Sequence, residues 1–302
     1  MIPILTYTAN LVAETTYYTD DWKLGTTRRA TRESFQVGGK GINVCKMLLR
    51  LGAESEALCF PGGAFGPSCE KWLSSRDIPY RAFRENCVTR SGSVIHSPGQ
   101  AETTILGVDS QVSKVAVTQS VDFLKAQSGP YRLAMCGVFQ DWNNENWDPL
   151  RDWLQRRPSN VRLAIDTYGP SLPWFASETS PELIKINRQE LETLFDEEMR
   201  THPTDTLLEQ TAERFDCPLW IVTDGETAIH FKESGQAPKS LQPRRVEAVS
   251  ATGCGDVFLA TLLHAQSYRP ELDLMASIAL AAEYATRNAA SHEIATFPID
   301  GS

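Results

Sequence analysis

The sequence predicts an α/β protein in which helices cover a largely parallel β-sheet. Short apolar runs rich in strand-forming residues alternate with amphipathic stretches, and Pro and Gly are scattered rather than clustered. A hydrophobic content of 41% with 22% charged residues is that of an ordinary globular protein. The 302 residues suffice for two domains, or for one large α/β domain with an appendage.

Seven short apolar runs are the predicted strands of the main sheet. Each run is rich in Val, Ile, Leu or aromatic residues and is short enough for a buried strand. The predicted strands are Ile2 to Thr8, Ser55 to Phe60, Arg132 to Cys136, Arg162 to Ile165, Leu183 to Ile186, Leu219 to Val222 and Ala228 to Phe231.

Two helices are predicted most clearly. From Asn43 to Leu51, apolar residues recur at i, i+3, i+4 and i+7, and Gly52 is a natural stop. From Asp256 to Gln266 the chain is apolar nearly all round, which predicts a buried helix.

Two stretches fall outside this alternation and predict a small flap over the sheet. Residues Ser93 to Leu106 contain two short strand-like runs around Ser97-Pro98-Gly99-Gln100, which is typical of a hairpin. Residues Tyr17 to Phe35 are polar and rich in Thr and Arg, and we expect them to be extended.

Charge and cysteine usage narrow the class of protein. Lys plus Arg number 29 and Asp plus Glu 38, so the net charge is −9, which argues against nucleic acid or an anionic membrane as main partner. No apolar run approaches the roughly 20 residues of a membrane span, and no basic segment opens the chain. The seven cysteines include no C-x-x-C pair, and the five His no H-E-x-x-H. We expect a soluble cytoplasmic protein with reduced thiols and without a His-based metal site.

A first glycine-rich stretch, Val37-Gly38-Gly39-Lys40-Gly41-Ile42-Asn43, leads into the first predicted helix. Glycines allow backbone N–H groups to approach a ligand, and a helix start adds partial positive charge. The spacing is not that of a P-loop. A tight loop without a ligand remains the alternative.

A second stretch, Ser250-Ala251-Thr252-Gly253-Cys254-Gly255-Asp256, leads into the buried helix. Its glycines can turn several N–H groups towards one point, which makes an anion site. A carboxylate at Asp256 could accept a proton from a substrate hydroxyl, or it could merely favour the helix start. A dinucleotide-binding loop is disfavoured because the third glycine is missing.

A third stretch, Lys185-Ile186-Asn187-Arg188-Gln189-Glu190-Leu191, joins a strand to a helix. Asn187 and Glu190 can project from one helical turn, where their oxygens could hold hydrated Mg²⁺. Asn-x-x-Glu is also a common helix-capping pattern.

These three stretches, in this order in one α/β chain, resemble the PfkB, or ribokinase-like, carbohydrate kinases from Ile2 to about Ala290. The resemblance implies a three-layer αβα sandwich with a mostly parallel central sheet and a small β-strand lid. It implies one kinase domain over residues 1–302, with lid segments at about 9–35 and 88–108. It also implies that ATP and Mg²⁺ are co-substrate and cofactor, and that the γ-phosphate passes to a sugar hydroxyl.

The resemblance also assigns roles to individual residues. Asp256 matches the catalytic base, and Gly253, Cys254 and Gly255 match the anion hole for the transferring phosphate. Cys254 replaces the usual Ala, which a hole built from backbone N–H groups should tolerate. Asn187 and Glu190 match the pair that holds magnesium. The residues expected to bind ATP are Lys185, Asn187, Thr223, Gly225, Thr252, Gly253 and Gly255.

The acceptor side resembles the branch of the family that phosphorylates ketohexose phosphates. The residues expected to contact the acceptor are Glu14, Arg29, Gly38, Gly39, Lys40, Asn43 and Arg90. Arg28, Arg29 and Arg90 would supply positive charge for a phosphorylated sugar, unless they are ordinary surface charges. On the nucleotide side, Thr223-Asp224-Gly225 resembles the family's turn beside ATP, but the second glycine that usually follows soon after is missing here.

Two departures affect the acceptor side. Glu14 stands where that branch has Asp, and Val138-Phe139-Gln140-Asp141 replaces its Ser-Leu-Pro, which would add bulk and charge near the substrate. We expect a kinase for fructose 1-phosphate, tagatose 6-phosphate or fructose 6-phosphate. The alternatives are a kinase for an unphosphorylated sugar or a nucleoside, and a non-catalytic sugar-phosphate-binding regulator. Exposed strand edges of the lid would allow a homodimer.

Overall fold

A computed structural model of the chain, which describes residues 2–291 and 293–299, contains two separate β-sheets. Its strands are β1 (Ile4–Thr8), β2 (Val12–Tyr18), β3 (Arg32–Gly38), β4 (Ser55–Cys59), β5 (Tyr80–Ala82), β6 (Arg90–His96), β7 (Thr103–Leu106), β8 (Tyr131–Cys136), β9 (Val161–Asp166), β10 (Leu183–Asn187), β11 (Leu219–Asp224), β12 (Ala228–Glu233) and β13 (Lys239–Leu241). Its helices are α1 (Lys40–Arg50), α2 (Gly66–Ser74), α3 (Lys114–Lys125), α4 (Asp148–Gln155), α5 (Ser171–Glu178), α6 (Arg188–Glu192), α7 (Glu197–Arg200), α8 (Thr204–Arg214), α9 (Cys254–Tyr268) and α10 (Leu274–Ala289), and Glu145–Trp147 form a 3₁₀ turn.

The larger sheet has the strand order β13-β12-β11-β10-β9-β8-β1-β4-β5. All its pairs are parallel except β11 with β12 and β12 with β13. The order reverses at β1, which lies between β4 and β8. In open parallel sheets, such a reversal places the ligand crevice outside the carboxyl ends of the strands.

Helices cover both faces of the larger sheet, as β8 illustrates. Leu133 and Met135 point into a core cluster that α3, α4, α5 and α8 complete, while Ala134 and Cys136 point into a second cluster with α1, α9 and α10. Both faces are buried, so the strand is a continuous apolar run instead of an alternating one. The predicted αβα sandwich is confirmed.

The smaller sheet has the order β3-β2-β6-β7, and we call it the lid. Strand β2 runs parallel to β6, and the other pairs are antiparallel. One face of the lid, including Ala13 and Val37, packs against Trp72 and Leu73 of α2. The predicted small β-sheet outside the main one is confirmed.

The seven predicted strands are all present, but three other predictions need correction. Helix α1 begins at Lys40, ahead of the predicted Asn43, because Gly39 at φ 124° turns the chain directly into the first helical turn. Helix α9 begins at Cys254, so Gly255 and Asp256 already lie in its first turn. The segment Tyr17 to Phe35 is extended only at its ends, since residues 19–31 lie in no strand.

No helix within the described residues is long and apolar enough to cross a membrane.

Candidate active site

A cavity of about 930 Å³ lies between the lid and the carboxyl edge of the larger sheet. The glycine-rich starts of α1 and α9 both open onto it. It also receives the ends of β10 and β11, and side chains of α10 form its far end. The lining includes these residues from the sequence analysis: Glu14, Gly38, Gly39, Lys40, Asn43, Arg90, Lys185, Asn187, Glu190, Thr223, Gly225, Thr252, Gly253, Cys254, Gly255 and Asp256.

Asp256 lies in the first turn of α9, and only 5% of the residue is exposed. Asn43, from the first turn of α1, donates a hydrogen bond of 2.7 Å from its Nδ2 to Oδ2 of Asp256. Burial, reinforced by the negative charge of Asp166, raises the pKa of Asp256 to about 6. A carboxylate with this pKa is ionised at neutral pH and close to the ideal strength for a general base.

The glycine-rich start of α9 adjoins Asp256. Gly253 has φ 74°, in the left-handed region that favours glycine, and from it the chain enters α9. The first turn of a helix leaves N–H groups without intrahelical partners, and they carry partial positive charge. A Cβ at Gly253 would lie 2.6 Å from Cγ2 of Ile294, and one at Gly255 would lie 2.6 Å from Nζ of Lys185. A side chain at either position would clash, so glycine is needed where the backbone passes this close to neighbouring side chains.

Cys254, between these glycines, is partly buried, unlike the six other cysteines. The Nδ2 group of Asn288 donates to its Sγ atom and, at 3.0 Å, to the carbonyl of Thr252. The Cys254 side chain is thus held on the α10 side, away from the backbone N–H groups of the first helical turn. All seven cysteines are free thiols, as predicted.

Asp166, at the end of β9, is a site residue that the sequence analysis missed. Its carboxylate is fully buried, with Lys40 Nζ 2.6 Å from Oδ1 and Lys185 Nζ 2.9 Å from Oδ2. Although burial opposes ionisation, Lys185 and Lys40 hold the pKa of Asp166 below its ordinary value. The one available signal was an acidic residue directly after the apolar run Leu163 to Ile165, at the carboxyl end of a predicted strand.

Lys40 connects Asp166 to a second carboxylate, because its Nζ also lies 3.2 Å from Oε1 of Glu190. Burial opposes protonation of Lys40, but Asp166 and Glu190 raise its pKa above the ordinary value. Lys40 is therefore charged at every physiological pH. Together with Lys185 it places two cations beside the first turn of α9.

Asn187 and Glu190 form a reciprocal cap at the start of α6. The Asn187 side chain accepts a hydrogen bond of 2.8 Å from the Glu190 N–H, and Glu190 Oε2 accepts one of 2.9 Å from the Asn187 N–H. In the described part of the chain, no three His, Cys, Asp or Glu residues cluster to hold a metal. The remaining oxygen lone pairs of this pair fit Mg²⁺ held through its water shell, which that ion usually keeps.

The two ends of the cavity differ in character. At one end, Thr223, Gly225 and Thr252 meet small side chains of α10, among them Ala282, Ala285 and Ala289. These small residues leave a slot at this end of the cavity. At the other end the lid strands present polar and charged side chains, including Glu14, Arg90 and His96.

The expected cluster of Arg28, Arg29 and Arg90 does not form in the cavity. Of the three arginines expected there, Arg90 lines the cavity and the other two do not: Arg29 is exposed and lies outside it, and Arg28 pairs with Asp21 on the surface. The expected bulk from Val138 and Phe139 is also absent from the cavity. Phe139 is 2% exposed and packs among core aromatics, so this departure from the family pattern changes the core instead.

The fold and the site define an α/β enzyme class in which a buried carboxylate lies at the start of a helix, inside a cavity at the edge of a mostly parallel sheet. The model of pfkB family carbohydrate kinases matches residues 9–298, so the chain belongs to that family. Among curated relatives, a tagatose-6-phosphate kinase of Staphylococcus epidermidis is 26% identical over 87% of this chain and 86% of its own length. A 1-phosphofructokinase of Borreliella burgdorferi is 29% identical, over 78% of this chain and 76% of its own.

Solved structures show the same fold at lower identity. Phosphofructokinase-2 of Escherichia coli superimposes with a TM-score of 0.83 at 18% identity, covering 95% of this chain and 93% of that one. A ribokinase of Thermotoga maritima gives a TM-score of 0.75 at 14% identity, covering 99% and 96%. These two likenesses establish the ribokinase-like fold.

Proposed function

We propose that this protein is an ATP-dependent kinase that phosphorylates a hydroxyl of a ketohexose phosphate. The observation that best supports this function is the buried Asp256, with a pKa of about 6, at a helix start suited to bind an anion inside a lid-covered cavity. The relatives named tagatose-6-phosphate kinase and 1-phosphofructokinase support the acceptor class. Fructose 1-phosphate, tagatose 6-phosphate and fructose 6-phosphate are the candidate acceptors.

In the proposed reaction, Asp256 accepts the proton of the acceptor hydroxyl as that oxygen attacks the γ-phosphorus of ATP. The bond from the γ-phosphorus to the bridging oxygen breaks, and ADP leaves. Backbone N–H groups at the start of α9, from Gly253 to Asp256, stabilise the negative charge on the transferring group. Phosphoryl transfer depends mainly on such positioning and charge stabilisation.

Asn43 and the two lysines prepare the site. The hydrogen bond from Asn43 orients the Asp256 carboxylate towards the cavity. Lys40 and Lys185, held by Asp166, keep two positive charges next to the anion site. Because buried Asp166 fixes both ammonium groups before ligand binds, little reorganisation is needed during the reaction.

ATP would occupy the slot lined by Thr223, Gly225, Thr252 and the small residues of α10. When bound, Mg²⁺ supplies charge neutralisation of the phosphates. Asn187 and Glu190 would hold it through water. Glu14, Asn43 and Arg90 would contact the acceptor, and the lid, formed within segments 9–35 and 88–108, would exclude water and limit ATP hydrolysis.

We further propose that two chains associate through the lid, and that the protein works in the cytoplasm, where ATP is made and used. Strand β7 is an edge of the lid sheet, and Ile105 and Leu106 on it are exposed, as is Val108 just beyond it. An exposed apolar strand edge favours pairing with another chain. Sedimentation of the purified protein tests the dimer, and an Ile105→Lys variant should shift it towards monomer.

The test of function is ADP release, detected by a coupled assay, across a panel of sugars, sugar phosphates and nucleosides with ATP and Mg²⁺. The proposal predicts clear turnover with at least one ketohexose phosphate. Binding of a sugar phosphate without ADP release from any panel member would instead indicate a regulator. The intact base and anion site favour the catalyst.

An unphosphorylated acceptor is the second candidate, favoured by one observation. Of the arginines expected to bind a phosphate group, Arg28 and Arg29 do not line the cavity, which leaves Arg90. The Arg90→Ala variant separates the two candidates. A phosphorylated acceptor should lose affinity strongly in this variant, whereas a neutral sugar should lose little.

A further inference from the structure

The lid joins the main domain through four chain connections, and polar side chains tie three of them together. Asn10 lies between β1 and β2, Arg90 opens β6, and Asp109 and Ser110 lie between β7 and α3. The fourth connection is the turn at Gly39. The three tied connections meet at the base of the lid, at the acceptor end of the cavity.

Asp109 is the centre of this arrangement. Its Oδ1 atom accepts hydrogen bonds from Arg90 Nη1 at 2.8 Å and from Asn10 Nδ2 at 2.7 Å. Asn10 is in turn fixed by the Ser110 N–H, which donates to Asn10 Oδ1 at 3.1 Å. Asn10 is only 5% exposed, so the partner that holds Asp109 is itself buried and hydrogen-bonded.

Arg90 is left with unused donors. Among the residues that the structure describes, only Nη1 of its three guanidinium nitrogens has a hydrogen-bond partner, and Nε is buried without one. The Arg90 side chain is 15% exposed and lines the cavity, whereas Asp109 does not line it. The guanidinium group is therefore held through Nη1 and buried at Nε, while Nη2 stays available to a ligand.

We propose that Asp109 is a positioning residue that fixes the Arg90 guanidinium towards the acceptor end of the cavity, and thereby determines selectivity for a phosphorylated acceptor. This inference rests on the proposed function. An arginine recognises phosphate through a planar fork of donors, so its orientation matters as much as its charge. Without the anchor, the long side chain must be immobilised when ligand binds, which lowers affinity.

Three variants separate anchoring from general support of the lid. Asp109→Ala removes the anchor without touching the cavity lining. Asp109→Asn keeps an oxygen that can accept from both Arg90 and Asn10. Ser110→Ala is the matched control, because Ser110 Oγ bonds the Arg90 N–H and the Leu11 carbonyl but not the guanidinium group.

The experiment is calorimetric titration of each variant with fructose 1-phosphate, fructose 6-phosphate, tagatose 6-phosphate and the unphosphorylated sugars, together with steady-state kinetics. For the sugar phosphate that wild type binds best, Asp109→Ala should raise Kd and KM about tenfold, with kcat and the KM for ATP within about twofold. For Asp109→Asn, the Kd and KM for this sugar phosphate should stay within about threefold of wild type. The preference for the sugar phosphate over the unphosphorylated sugar should fall in Asp109→Ala alone.

An unchanged Kd in Asp109→Ala, or an equal loss in Ser110→Ala, would overturn the anchoring role. A wild type that binds none of the sugar phosphates would overturn it as well. A wild type that binds them without releasing ADP would contradict the proposed kinase while the Kd values still decide the role of Asp109.

Discussion

The side-chain amide of Asn43 donates a 2.7 Å hydrogen bond to the carboxylate of Asp256, although 213 positions separate them in the chain. The bond links the first turn of α1 to the first turn of α9, and these helices pack side by side in one core cluster. Both glycine-rich stretches therefore serve one centre. The hydrogen bond also lowers the pKa of Asp256, against the larger effect of burial.

The Asn43→Ala variant should change the pH dependence of turnover. Loss of the amide donor removes a contact that favours ionised Asp256, so its pKa should rise above about 6 and activity should fall off at higher pH than in wild type. We expect the acid limb of log kcat to move up by about half a unit or more. Comparison with wild type on the same acceptor cancels the ionisation of the sugar phosphate itself. An acid limb that stays in place or moves down would contradict the assignment of that limb to Asp256.

Lys185→Met should destabilise the fold as well as the active site. The change leaves the fully buried Asp166 with Lys40 as its remaining cation, and breaking a buried ion pair by removing one partner costs about 3 kcal/mol. Urea unfolding measures this loss. Adding Asp166→Asn to Lys185→Met removes the uncompensated charge and should recover part of the stability; no recovery would argue against the charge as the cause.

Gly253→Ala should impair both stability and turnover, with Gly52→Ala as its control. Both glycines have positive φ, at 74° and 79°, so an alanine strains the backbone similarly, by about 1 kcal/mol. A Cβ at Gly52 meets nothing within 4 Å, whereas at Gly253 it would lie 2.6 Å from Ile294 Cγ2. We expect Gly253→Ala to lose clearly more unfolding free energy and at least tenfold in kcat, a usual scale for disturbing an anion hole. Equal behaviour of the two variants would rule out a special role for Gly253.

Asp256→Asn should make the folded protein more stable at neutral pH. The pKa of Asp256 rises from 3.8 in the unfolded chain to about 6 in the folded one, so the folded state binds this proton more tightly. Ionisation of Asp256 therefore costs stability as pH rises through this range, by about 3 kcal/mol above pH 6. Urea unfolding at pH 7.5 should show a gain for Asp256→Asn that shrinks towards pH 4. A gain that did not depend on pH would point to a cause other than ionisation.

Much of the fold could be predicted from the sequence, because strands buried on both faces are continuous apolar runs, and six of the seven predicted strands are of this kind. The seventh, β12, alternates between buried and half-buried residues. Edge strands are harder to predict. β5 and β13 have three residues each and are held by pairing rather than by an apolar pattern. The start of α1 was misplaced because its first turn, from Lys40, carries the glycine-rich motif instead of apolar residues.

The site was harder to predict where it depends on contacts between distant segments. The motifs around Asp256 and Asn187 lie within single short stretches, and the structure brings both to one cavity. Asp166 belongs to no motif, since its partners Lys40 and Lys185 come from two other elements. Arg29 could not be excluded from the cavity by sequence, because its position depends on the path of residues 19–31.

The role of Asp256 as the general base of a sugar kinase can be measured as the turnover of Asp256→Asn on the best acceptor of the substrate panel. An asparagine keeps the size of the side chain and can still accept the Asn43 hydrogen bond. We expect a folded protein with normal binding of ATP and acceptor and with kcat lower by about a hundredfold or more. Near-normal kcat in this variant would contradict it.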